Sequence, residues 1–406
     1  MSRSVATLSS VKRKKERDVT EVTTTGADLP RLRELNSLSI VRALRDHPPS
    51  TVTELSRRTG LSRPAVDVIA QGLVTDGWAS VLEPGASSAV GRPARRYQFR
   101  AGAGHVLGVD VGAHKILALL ADLDGTIVHS VRHAVDAQAG PAERLAELDA
   151  VIGTCLSQAG KSPTDIWAVT VAVTGAVDSA GRTSFFTPLP GWKSVDLTAH
   201  LAVRFSCPIV VENDCKLGAL GEQWQGAATD AVDIVYLQGG MRTGAGLIID
   251  GVLRRGFGGA AGEIGALKQV RWLDAPAHLQ NCPGVPETVG PDDAAAWVFN
   301  AARDGHKAAR TAVNRYVKDL AVGTAALVLT LDPQVVVFGG GFSRSADLVL
   351  DPLRRELERL CLRMPEVRAS TLGADSVALG ALKLSLNEVD QRLFGGGLSA
   401  PVAPRR

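Results

Sequence analysis

No stretch of this 406-residue sequence is apolar for the ~18 residues that a membrane-spanning helix needs. The basic run Lys12-Arg13-Lys14-Lys15 has no apolar segment behind it, so no secretory leader is expected. Cysteine is scarce and scattered, at Cys155, Cys207, Cys215, Cys282 and Cys361, with no Cys-x-x-Cys pair. That usage suits a reducing cytoplasm and argues against a structural zinc. Residues 1–30 lack apolar periodicity and read as a disordered tail. What remains is ordinary for a soluble protein. The chain is 45% hydrophobic and 21% charged, enough for the cores of two or three domains.

The small net charge of +3 conceals an asymmetry. Residues 1–100 carry 17 Lys and Arg against 10 Asp and Glu, and the rest of the chain is mildly acidic. A tethered DNA-binding module has this footprint, and so does a basic solvated tail. The local pattern favours the module. Leu35, Leu38, Val41 and Leu44 recur along one predicted helix, which His47-Pro48-Pro49 stops. A short helix over 53–59 ends at Gly60, and Ser62 is placed to cap another carrying Val66, Ile69, Leu73 and Val74. Strands are predicted over 78–82 and 95–99, with Gly91-Arg92-Pro93 between them.

This order is that of a winged helix-turn-helix, whose second helix enters a DNA major groove. Ser62, Arg63, Asp67 and Gln71 are its predicted exposed positions. Arg63 has the fork to read guanine or clamp a phosphate. Asp67 would accept from a cytosine amine or weaken binding. Arg92, slim between Gly and Pro, suits a narrow minor groove, with Arg95 and Arg96 behind it for the backbone. Ala101-Gly102-Ala103-Gly104 is read as a hinge to the remainder.

Beyond it, apolar strand-like runs alternate with helical ones, which predicts an α/β fold. Strands are expected near 106–111, 116–121, 127–131, 166–173, 209–211, 234–237, 246–249 and 335–338. Helices are expected over 142–158, 195–205, 214–225, 308–330, 346–362 and 375–386. The opening strand order recurs near 234–253, which predicts two similar lobes around a cleft. The chain thus divides into a tail (1–30), a winged helix (31–100), a first lobe (101–227), a second lobe with the C-terminal helix (228–386) and a loose end (387–406).

Four segments succeed one another in the larger part: Gly108-Val109-Asp110-Val111-Gly112, Glu212-Asn213-Asp214, Gly256–Gly265 and Gly339-Gly340-Gly341. With Leu189-Pro190-Gly191-Trp192 between them, their order resembles the ROK family, named for repressors, open reading frames and kinases. The resemblance runs from about Leu32 to about Leu386. It implies a two-lobed, actin-like (ribonuclease H-like) ATPase-type fold with a sugar in the cleft. It also implies that Asp214 matches the general base of the family's kinases, and that Asn213 and Glu263 contact the sugar. Read from spacing alone, Asn213-Asp214 is simply an N-cap for the next helix.

The sequence departs from the kinases at several points. Gly112-Ala113-His114-Lys115 replaces Gly-Gly-Thr-Lys, and Gly240-Met241-Arg242-Thr243-Gly244 places bulk where backbone must approach phosphate. Arg242 offers an anion contact instead. Ala266 stands where the family's zinc-binding His belongs, and only Cys282 lies downstream. Pro188 replaces an Asn beside the ligand. The prediction is therefore a cytoplasmic, homodimeric or higher-order ROK-type regulator that binds double-stranded DNA, with no membrane association. It binds no zinc and no ATP, has no catalytic residue beyond the vestigial Asp214, and senses a sugar-like effector through Asn213, Asp214 and Glu263. The rival readings are a sugar kinase with an accessory DNA-binding domain and a ligand-independent dimeric repressor.

Overall fold

The computed structural model describes residues 29–82, 94–184 and 189–394. The tail over 1–28, Arg92 and its loop, Pro188, and the end from 395 lie outside the described residues. Among the described residues, no helix is long and apolar enough to cross a membrane.

The N-terminal domain runs α1 (Leu29–Arg45), β1 (Ser50–Thr51), α2 (Val52–Thr59), α3 (Arg63–Thr75), β2 (Ala79–Leu82) and β3 (Arg96–Phe99). Its three strands pair antiparallel in the order β1-β3-β2. Ile40, Val41, Leu44, Leu55, Val66, Ala70 and Leu73 pack beneath Tyr97 and Phe99. Leu35 is exposed and Ile40 fully buried, contrary to the predicted stripe. A strict three-residue spacing drifts around a helix of 3.6 residues per turn, which carries Leu35 off the core face.

The first lobe comes next, with β4 (His105–Val111), β5 (Lys115–Asp122), β6 (Ile127–Ala134), α4 (Pro141–Gln158), β7 (Ile166–Val173), the small β8 (Ala176–Val177) and β9 (Thr183–Ser184) hairpin, α5 (Leu197–Ala202), β10 (Ile209–Asn213) and α6 (Asp214–Gln225). The second lobe has β11 (Ile234–Gln238), β12 (Gly244–Ile249), β13 (Val252–Leu253), α7 (Ala277–Gln280), α8 (Pro291–Arg303), α9 (Lys307–Leu331), β14 (Val335–Gly339), α10 (Ala346–Leu360), β15 (Glu366–Ala369) and α11 (Ser376–Phe394). The sheets are ordered β10-β7-β4-β5-β6 and β13-β12-β11-β14-β15. Numbered within each lobe, both orders are the same: an antiparallel meander of three strands, then two parallel strands on the other side of the first. The expected repeat is present in full.

The lobes exchange helices. α6 ends the first lobe in sequence but packs on β11 and β12 of the second. α11 ends the second but packs on β4, β7 and β5 of the first. The two helices cross where neither carries a side chain. A Cβ on Gly380 would lie 1.8 Å from the Leu217 carbonyl oxygen, and one on Gly221 2.2 Å from that of Ser376. The C-terminal helix thus covers the first lobe, not the second, and it continues to Phe394 through residues read as a loose end.

The expected hinge is a packed joint. Residues 101–103 form a 3₁₀ turn, and the Leu123 amide donates to the Ala101 carbonyl at 3.1 Å. Gly104 lies against Trp167, where a Cβ would come within 2.5 Å of the indole. Trp167 meets Trp78 edge to face at 5.1 Å. Arg45 of α1 makes a paired salt bridge with Asp390 of α11, and Arg42 lies over the Phe394 ring at 5.7 Å.

Candidate functional site

The helix-turn-helix is fixed by caps at both of its helix starts. Thr51 and Glu54 form a reciprocal capping box on α2, and Gly60 ends that helix with φ +73°. The Ser62 hydroxyl accepts from the Ala65 amide at 3.4 Å, and Pro64 sits in the first turn of α3. Ser62, Arg63 and Gln71 are exposed as predicted, beside an exposed Val68 that the residue pattern did not single out.

Two of the predicted contacts need correction. Asp67 is half-buried and accepts from the hydroxyl of buried Tyr97 at 3.4 Å, so it is turned toward β3 and not toward the groove. Arg96 is exposed but donates to the Pro49 carbonyl at 2.6 Å and lies 3.8 Å from Glu54. It ties β3 to the start of α2 rather than standing free for phosphate. Arg95 is exposed at the base of the wing.

In the cleft, β4 delivers Asp110 and β10 delivers Glu212-Asn213, with Asp214 opening α6. Asp110 is buried 3.1 Å from the Lys115 ammonium, which also donates to the Ala374 carbonyl at 2.7 Å just ahead of α11. Burial raises the Asp110 pKa and Lys115 opposes the shift. Behind the first turn, the fully buried Arg144 donates to the carbonyls of Gly112 at 2.8 Å and Ala113 at 3.2 Å. The Gly112 amide is itself spent on the Lys115 carbonyl at 2.9 Å.

Asp214 is buried under three donors: Thr174 Oγ1 at 2.9 Å, the Cys215 amide at 2.8 Å and Asn213 Nδ2 at 3.1 Å. Desolvation outweighs them and pushes its pKa up to about 6. Asn213 is the N-cap of α6. Its Oδ1 accepts from the Lys216 amide at 3.0 Å, and its Nδ2 donates also to the Gly175 carbonyl at 3.0 Å. Its Oδ1 thus caps the helix, as the spacing alone suggests, and its Nδ2 ties the loop after β7 to Asp214.

Glu263 is exposed on the loop after β13. Burial holds the Cys215 thiol well above its ordinary range, and the charges of Asp214 and Glu263 add to that shift. Three residues that sequence reasoning missed fix this loop and its neighbours. The fully buried Lys216 donates to the Gly259 carbonyl at 2.7 Å. Arg255 is bonded to buried Glu212, and Thr174 holds Asp214. In sequence the spot is signalled by Glu212-Asn213-Asp214 and the Gly256–Gly265 segment. Lys216, two residues on, reads as an ordinary solvated helix lysine.

On the second turn, Met241 folds against the second-lobe core while Arg242 is exposed. The zinc donors of the family have no counterpart arrangement. Ala266 is exposed, Cys282 is buried with its thiol toward the Pro283 carbonyl at 3.6 Å, and His278 is 2.8 Å from Asp319. Among the described residues no three His, Cys, Asp or Glu side chains converge to hold a metal. The residues present do not fit a four-ligand zinc site.

The family profile described as ROK matches residues 106–283 and 290–388, across both lobes. The chain belongs to the ROK family. An IclR helix-turn-helix domain profile matches residues 35–82, which makes the protein a DNA-binding ROK regulator of repressor type. The chain is 24% identical over 390 residues to a xylose repressor of Caldicellulosiruptor bescii, covering 88% of this chain and 97% of that one. It is 28% identical over 316 residues to a glucokinase of Streptomyces coelicolor, covering 70% and 98%. A solved structure described as a ROK family transcriptional regulator, homolog of E. coli MLC protein, superposes with TM-score 0.64 at 17% identity, covering 88% of this chain and 97% of that one. Its likeness is one of fold. The glucokinase match leaves out 30% of the chain, and the repressor match takes in most of that remainder.

Proposed function

We propose that this regulator is a cytoplasmic homodimer whose cleft binds a sugar-like metabolite without phosphorylating it, and that binding alters the hold of the winged helix on DNA. The observation that carries this reading is the course of α11. It starts beside the cleft, where the Ser376 hydroxyl lies 3.1 Å from that of Tyr236 and donates to the Gly373 carbonyl. It ends on the DNA-binding domain, where Asp390 grips Arg45. A ligand that prefers one closure of the lobes therefore bears on the docking of α1. Asp214 and Glu263 supply acceptors for hydroxyl donors. Asn213 has both amide protons engaged and keeps one acceptor site on Oδ1 for a hydroxyl donor.

D-xylose is the first sugar to test, because repressor relatives carry its name. One sugar of a panel should change the affinity of the full chain for its DNA by roughly 5–150-fold and raise the melting temperature. If no metabolite moves either quantity in protein that holds DNA, the large domain serves dimerisation alone. The glucokinase relatives and the carboxylates of Asp110 and Asp214 favour a second reading, a kinase with an accessory DNA-binding domain. Phosphoryl transfer depends on positioning and charge neutralisation, and the engaged Gly112 amide and exposed Arg242 count against it. ATP-dependent turnover of any sugar, lost in Asp214→Ala, would establish that second reading. Elemental analysis of tag-free protein should find no zinc; about one zinc per chain would require ligands other than those named above.

A further inference from the structure

Two features of α3 are unexplained by the packing of this chain. Val68 is 72% exposed in mid-helix. Gly72, one turn on, is exposed with no positive φ, and a Cβ there would meet nothing within 4 Å. Glycine is a poor residue for a helix interior. It is usually kept where φ must be positive or where another backbone comes close. Here neither the turn nor an internal neighbour requires it, so the space it leaves serves something outside the chain. Val68 lies on the same outward face, between Pro64 and Gln71. Asp67, the one acid of this helix, is drawn aside by Tyr97. Arg63 stands at the head of this face, and the nearest exposed acid is Asp76 at the far end of the helix.

We propose that Val68 and Gly72 set the operator specificity of this helix. Val68 packs on the C5-methyl group of a thymine, and Gly72 lets the DNA approach the helix backbone closely enough for that contact. The thymine methyl is the apolar group that base edges offer in the major groove, and aliphatic side chains are its partners. The inference rests on the DNA-binding reading of the winged helix and assigns which of its residues read sequence.

The test uses the full chain and a duplex that it retains from a random-sequence pool, remade with deoxyuridine replacing each thymine in turn. At one position in each half-site the replacement should weaken wild-type binding about 4-fold, the worth of burying one methyl group. Val68→Ala should bind the thymine and deoxyuridine forms of that position equally. Gly72→Ala should raise the melting temperature, because alanine is the better helix former and has room. It should nevertheless weaken binding about 10-fold, the scale of one lost base contact. A residue with a merely structural role would not move stability and affinity in opposite directions. Full affinity in Gly72→Ala, or equal deoxyuridine losses in wild type and Val68→Ala at every position, would overturn the proposal while leaving DNA binding intact. That is also the result if this face docks a protein instead. Retention of no duplex by the wild type would overturn the DNA-binding reading itself.

Discussion

Asp214 is ionised only against the cost of its burial, and three donors do not fully offset that cost. Its carboxyl titrates near 3.8 in the unfolded chain and at about 6 in the folded one. Between those values the native state binds more protons than the unfolded state, so stability falls as pH rises from about 4 to about 6 and then levels. Asp214→Asn should lack this slope. Urea denaturation at several pH values would show wild type losing ground to the variant over that window. A gap that stays constant with pH would refute the assignment, since any misfit of the amide among those donors adds only a pH-independent offset. A sugar hydroxyl donating to this carboxylate should likewise bind more weakly below about pH 6. Little of this was legible in sequence. The Asn-Asp pair marks the place, but which of the two caps the helix and which is left for chemistry depends on Thr174 and Gly175, forty residues away and brought in by the parallel pairing of β7 with β10.

At the scale of elements, helix ends and buried strands were the most readable features. β7 and α6 match their predicted bounds to the residue, because a buried strand is one unbroken apolar run and Asn213 caps the helix after it. Ser62→Ala should therefore cost about 1 kcal/mol of stability by removing the cap of α3. Arg63→Ala should instead weaken operator binding by roughly 1–3 kcal/mol with the fold intact. Thermal melts and mobility-shift titrations separate the two, and an unchanged titration for Arg63→Ala would strike that residue from the contact list. The elements missed have physical reasons. α8 buries mainly alanines, Ala294, Ala295 and Ala302, around Val298 and Phe299, so it lacks the large apolar spacing that marks a helix. β15 alternates Glu366 and Arg368 with small apolar residues at a sheet edge. The last turns of α11 looked polar because Val389 and Leu393 find their partners in another domain.

For the whole molecule, the exchanged helices make the crossing of α6 and α11 the joint between the lobes. Gly380→Ala should push the helices apart and cost about 1–3 kcal/mol, the usual penalty for overfilling a packed site. A melting temperature equal to wild type would mean that the crossing tolerates a wider spacing than its geometry implies. The repeat of strand order was visible in sequence, since each meander carries its own run of apolar strands. The exchange was not, because a helix buried on all sides gives no sign of which sheet it lies against. Residue order alone placed α11 with the second lobe.

The exchange also bears on how the protein is made. The first lobe is synthesised early, yet the helix that covers its sheet is the last to leave the ribosome. The DNA-binding domain is in the same position, since Arg45 waits for Asp390 across 345 residues of chain. A nascent chain halted after β10 carries a helix destined for a sheet not yet translated, and it exposes the apolar face on which α11 belongs. Each lobe draws one of its covering helices from the other, and truncation before Asp390 removes the α11 contacts of the DNA-binding domain while leaving its joint at Trp78 and Trp167. A winged helix on an incomplete chain therefore lacks the Arg45–Asp390 bridge and the Arg42–Phe394 contact that tie α1 to the large domain.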